Sequence, residues 1–251
     1  MSATTTSLFV FLCTFGGALL GMFIRRLLPG DHLSPESKDV VRISMGLVAT
    51  IVALVLGLLI YSAKSFYDTQ NSEVTQLAAN VVLLDRLLAH YGPETAEVRA
   101  ELRRSIQVHL KMMWPENGSE RASPQSFGPT SEAILDRIQE LSPKDDRQRT
   151  LQGQAVNLAV HMGQTRLLMF TQRSVAVPKL LLMILIFWLI ALFGSFGLFA
   201  PTNYTVVLSL FIAAAAVCGA VFLMVEMYYP YGGVIEVSRA PLISALAQLG
   251  R

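Results

Sequence analysis

The hydrophobic positions of this chain fall into four blocks, separated by stretches of ordinary soluble character. Ser7–Ile24, Ile43–Ala63, Leu180–Ala200 and Tyr204–Val225 contain no Asp, Glu, Lys or Arg. A helix rises about 1.5 Å per residue, so about 20 apolar residues cross a hydrocarbon core about 30 Å thick. Each block reaches or approaches that length. A soluble helix of the same length would need a polar face. The pattern predicts four transmembrane helices. The first block is read as a retained span, not a signal peptide. No positive segment precedes it, and Arg25-Arg26 follows where a small-residue cleavage site would stand. Pro201-Thr202-Asn203 makes the last two spans an antiparallel hairpin, with Pro178 at the entrance to the third. Trp188 falls mid-span, where it packs, while Tyr228 and Tyr229 suit the membrane interface.

Between the second and third spans the period changes. Val74, Leu77, Val81, Leu84 and Leu88 recur every three or four residues, predicting a helix over Lys64–Tyr91. No Gly or Pro separates it from the second span, so one helix is expected to run through both until Gly92-Pro93. A second helix is expected from Pro93-Glu94 to about Trp114, and a surface loop over Glu116–Thr130. A short amphipathic helix over Ser131–Leu141 would be capped by Ser131. A longer one, Asp145–Val177, opens on the acidic pair Asp145-Asp146. After the fourth span, Pro230 and Gly232-Gly233 make a turn. Ser238 then caps a last helix, Pro241–Leu249, whose Leu242, Leu246 and Leu249 pack on the bundle. The expected fold is an all-α membrane protein: four transmembrane helices with a helical bundle between the second and third. The expected domains are residues 1–63 (two spans), 64–177 (extramembrane bundle), 178–228 (transmembrane hairpin) and 229–251 (turn and short helix).

Composition agrees. The chain is 53% hydrophobic with mean hydropathy +0.48, and 15% charged, against about 25% charged in soluble domains. A net charge of +2 without a basic run gives no reason to expect nucleic acid. Cys13 and Cys218 both lie inside apolar blocks, so no structural disulfide is expected.

The chemistry-bearing residues form no catalytic constellation. There is no phosphate-binding loop, nucleophile elbow, HExxH or CxxC. His32, His90, His109 and His161 are scattered, and His161 with Asn157 and Gln164 reads as a polar bundle face. Asp136 and Arg137 read as solvated surface. The expectation is no enzyme, no cofactor and no metal site. The spans carry no ionisable residue, which argues against a proton-coupled transporter. Glu226, at the end of the fourth span, is either an interfacial carboxylate or a gate or ion site. Gly46, Thr50, Ala53 and Gly57 share one face of the second span. Such a face suits close helix packing or a narrow pore lining. Further along the same helix, Ser65, Thr69, Ser72 and Gln76 form a polar stripe, either the continuation of a water-facing lining or an ordinary solvated face. Gly17 and Gly21 in the first span make one small-residue step, read as packing.

Four segments carry a resemblance: Leu28-Pro-Gly-Asp-His, Ser62-Ala-Lys-Ser-Phe-Tyr-Asp-Thr-Gln-Asn-Ser-Glu-Val, Leu83-Leu-Asp-Arg-Leu-Leu and Tyr229-Pro-Tyr-Gly-Gly-Val-Ile-Glu-Val-Ser. Over nearly its whole length the chain resembles a bacterial family of membrane proteins termed bestrophin-like. Bestrophins are pentameric, mostly anion-conducting channels with four spans and a helical cytosolic region between the second and third. The resemblance therefore implies a homo-oligomeric, pentameric ion channel in the inner cell membrane, with lipid and inorganic ions as its partners. Leu54, Val55, Leu56 and Leu58 stand where the bestrophin aromatic neck would be sought, so no pore residue carries over. The alternative is a non-conducting scaffold or sensor whose helical domain binds a protein partner. Arg25, Arg26, Lys38 and Arg42 on one side of the membrane, against Lys64, Arg166, Arg173, Lys179 and Arg239 on the other, leave the orientation open.

Overall fold

The computed structural model describes residues 3–29, 34–114, 128–172 and 179–250. Among them the regular secondary structure is helical: α1 Ala3–Arg25, α2 Pro35–Tyr91, a 3-10 turn Pro93–Thr95, α3 Ala96–Met113, α4 Gly128–Gln139, α5 Asp146–Gln172, α6 Lys179–Phe199, α7 Tyr204–Met227 and α8 Ala240–Gln248. Helices α1, α2, α6 and α7 are long and apolar enough to cross a membrane. The protein is an all-α membrane protein.

Helix α2 is a single element of 57 residues. It runs unbroken from Pro35 because nothing between there and Tyr91 forbids helical backbone. It ends at Gly92, whose φ of 144° no L side chain adopts readily, followed by Pro93. The chain forms two compact units, Met1–Phe66 with Ala176–Tyr228, and Tyr67–Val175 with Tyr229–Arg251.

In the first unit α1 packs closely against α6. A Cβ on Gly21 would collide with the carbonyl oxygen of Gly194, and one on Gly197 with that of Ala18. A Cβ on Gly17 would stand 3.3 Å from Ile190. Glycines on both helices let the backbones touch, as small-residue steps do in membranes. Arg25 donates to the carbonyl of Ala200, just past the end of α6. Asn203 Oδ1 accepts from Val206 N at 3.0 Å and caps α7, closing the hairpin turn. Trp188 is half-buried in this core, as its mid-span position suggests. Both cysteines are free.

The second unit has its own core, built on Val74, Leu77, Val81, Leu84 and Leu88 of α2, Leu102 and Ile106 of α3, Ile138 of α4, and Ala155 and Met162 of α5. The segment after Tyr229 belongs to it. Leu242 and Leu249 are buried there, and Leu246 packs against the same core. Trp114 Nε1 donates to Val237 O at 3.0 Å, and Tyr231 Oη donates to Gln70 Oε1 at 2.8 Å.

Several boundaries differ from expectation. Helix α4 begins at Gly128, so Ser131 lies inside its first turn and not ahead of it. Gly128-Pro129 reads as a breaker, but proline is tolerated in a first helical turn. Helix α5 begins one residue late because Asp145 is its cap, with Oδ1 accepting from Gln148 N at 2.6 Å. It is described to Gln172, and its expected end at Val177 lies outside the described residues. So do His32, Pro178 and the expected loop up to residue 127. Arg239, not Ser238, immediately precedes α8, although Ser238 Oγ still accepts from Ala240 N at 3.2 Å. Arg137 is not simply solvated: it bridges to Glu97 and Glu101 of α3 at 3.2 and 3.0 Å.

Candidate functional site

In the first unit, Val52, Leu59 and Ala63 of α2 are buried, and they share one side of the helix. Gly46, Thr50, Ala53 and Gly57 are exposed on the opposite side. A Cβ placed on Gly46 or Gly57 would meet no heavy atom within 4 Å. Close packing within one chain therefore does not explain these small residues. Thr50 Oγ1 donates to Gly46 O at 3.0 Å, so its hydroxyl proton is satisfied within the helix.

Beside this stripe runs an apolar one, of which sequence reasoning named Leu54 and Leu58 only as standing in place of an aromatic neck. Leu47, Leu54 and Leu58 are 66%, 64% and 67% exposed. Each lies one residue after a small position, hence about 100° round the helix. The signal was available as an apolar repeat at helical spacing, but such a repeat is expected on any span.

Ser65 and Thr69 are also exposed. Ser65 does not extend the small stripe in a straight line: at about 100° per residue it stands about 80° round α2 from Gly57, near the bearing of Leu58. The eight-residue gap between Gly57 and Ser65 conceals this offset in the sequence.

Glu226 is 5% exposed near the end of α7, and it is engaged in interactions there. Two residues on, Tyr228 is buried. It closes α7 with its N–H on Val225 O at 3.1 Å. Its hydroxyl lies 3.3 Å from Ser62 Oγ, and its ring stacks on Phe66 at 5.6 Å and 27°. Ser62 and Phe66 are one turn apart, so α7 grips one face of α2.

Outside the apolar segments, the second unit holds two charged groups in unlike surroundings. Asp85, 1% exposed, receives Arg99 Nε and Nη2 at 2.7 and 2.9 Å, and Gly250 N at 3.3 Å. The hydrogen bond to Asp85 holds the Arg99 guanidinium above its usual range. Arg166 is half-buried, with an enclosed Nε that meets no hydrogen-bond acceptor. Burial lowers its guanidinium to about 10. Among the described residues no group of three His, Cys, Asp or Glu side chains could hold a metal ion. His161 and Asn157 lie together on an open groove between α2 and α5, whereas Gln164 is exposed further along α5.

A model of the bestrophin-like domain matches residues 12–242. Two crystal structures of single-residue variants of a bacterial bestrophin homologue from Klebsiella pneumoniae are similar in fold. One has a TM-score of 0.69 at 13% identity, covering 96% of each chain. The other has a TM-score of 0.60 at 14% identity, covering 96% of this chain and 97% of that one. No curated protein is significantly similar in sequence.

Proposed function

Because the chain belongs to the bestrophin-like family, we propose that it is a homo-oligomeric ion channel in which copies assemble around α2. The observation that carries this reading is the unfilled outer face of α2. Glycines there have nothing within 4 Å, and large leucines stand exposed beside them. One chain leaves that face without a protein neighbour, and in a ring of chains it borders a central path. Gly46, Thr50, Ala53 and Gly57 border the path, with Ser65 and Thr69 further along α2. Backbone and hydroxyl oxygens offer weak, exchangeable ion contacts, and apolar side chains narrow the bore. Glu226 is the candidate gate or ion site. By analogy with bestrophins, the permeant ion is an anion, the ring a pentamer and the location the inner membrane.

The test is ion flux through purified protein in liposomes, with chloride and potassium gradients applied separately. Selective flux supports a channel and names its ion class. Absence of flux from correctly inserted, oligomeric protein, across pH and calcium, would replace this reading with a scaffold or sensor.

A further inference from the structure

Position 166 stands on the inner side of α5. At about 100° per residue it lies about 40° round the helix from Met162 and about 60° from Met169, and both methionines are buried in the core of the second unit. The next two residues turn the other way: Leu167 and Leu168 are 64% and 53% exposed. This order is the reverse of what burial favours, with the cation turned in and two aliphatic side chains turned out. Exchanging Arg166 with Leu167 would correct it. A local choice that contradicts the fold in this way marks a functional position.

The same unit shows how a buried cation is satisfied for structure alone. Arg99 lays Nε and Nη2 on the two oxygens of Asp85. Arg166 is treated differently. No described residue accepts a hydrogen bond from its enclosed Nε. A carboxylate close by would raise the guanidinium, as Asp85 raises that of Arg99, whereas burial alone acts on Arg166 and lowers it. The side chain stays charged at neutral pH. A cation stripped of water and left unpaired is costly, and a methionine or leucine at 166 would avoid the cost.

What satisfies Arg166 must therefore come from outside the chain. A guanidinium is planar, and its Nε–H and adjacent Nη–H form a fork. A carboxylate or a phosphate meets that fork with two oxygens, a halide with one centre. Arg166 as a whole is only half-buried, so a solute can reach it. We infer that Arg166 is the anchor of an oxyanion site in the second unit, taking a carboxylate or a phosphate on its guanidinium fork. The inference does not depend on conduction and stands or falls apart from the channel reading.

The test is thermal melting of the full chain in mild detergent, in chloride buffer and with acetate or inorganic phosphate at matched ionic strength. A ligand held by the folded state alone raises the melting temperature in a saturable way. For the wild type a rise of about 5 °C is expected near saturation. Arg166→Met, neutral and of similar length, is expected to show no rise. Arg104→Met, at an exposed position of α3, is expected to respond as the wild type does. If Arg166→Met does not fold, Arg166→Lys decides, since it keeps the charge and loses the fork. The phosphorus resonance of inorganic phosphate is expected to broaden with the wild type, and by about half as much or less with Arg166→Lys. A rise in detergent names a dissolved oxyanion as the ligand. A rise that appears only in nanodiscs containing phosphatidylglycerol, and not in those of phosphatidylcholine alone, names a lipid headgroup and supports the same site. A wild type that ignores acetate, phosphate and phosphatidylglycerol, or an Arg166 variant that responds as the wild type does, overturns the inference.

Discussion

Two small-residue faces in the first unit look alike in sequence and differ in use. Gly17 and Gly21 of α1 lie against α6, where an added Cβ would strike backbone or press on Ile190. Gly46 and Gly57 of α2 lie against nothing within 4 Å. Burial follows: 33% of the most apolar window of α1 is buried, against 11% of that of α2. The same residue type thus glues two helices in one place and keeps a surface small and open in the other. Spacing on the helix itself does not distinguish them. What does is the opposing helix, where Gly194 and Gly197 of α6 answer the glycines of α1.

The contrast can be broken at several points. Gly197→Leu should do most damage, because its side chain would occupy the position of the Ala18 backbone. A loss of about 3 kcal/mol or more is expected, visible as a collapse of the thermal transition in detergent. An unchanged transition would mean that α1 and α6 do not touch. Gly21→Ala adds a single methyl against Gly194 and should cost about 1–3 kcal/mol. Gly46→Ala and Gly57→Ala have open space and should move stability by less than about 0.5 kcal/mol. If either lowered the oligomer mass while leaving the helices folded, that face would be packed between copies and not bordering a path. Thr50→Val keeps the shape and removes the hydroxyl. It should leave melting unchanged and lower ion flux by a few-fold at most, and equal flux would remove Thr50 from the lining.

Much of the fold is legible because its causes are local. Uncharged runs define the spans, and the lack of a helix-breaking Gly or Pro between the second span and Tyr91 lets α2 continue past the membrane. Asn203 and Gly92 begin or end helices by their own chemistry. The misplaced start of α4 shows the limit, since Gly128-Pro129 fits both a loop and a first turn. The candidate site is less legible because its meaning depends on absence. Nothing in Gly46-x-x-x-Thr50-x-x-Ala53 states that no helix of the same chain packs there. The burial of Tyr228 is likewise set by Ser62 and Phe66, far away in sequence.

The lack of charge in the four apolar blocks has an electrical consequence. A membrane potential does work on charge, about 2.3 kcal/mol per elementary charge for each 100 mV. Ser7–Ile24, Ile43–Ala63, Leu180–Ala200 and Tyr204–Val225 contain no Asp, Glu, Lys or Arg for it to act upon. If the protein conducts as proposed, these blocks offer the field no formal charge to move, and in symmetric salt the current is expected to rise in proportion to the applied potential.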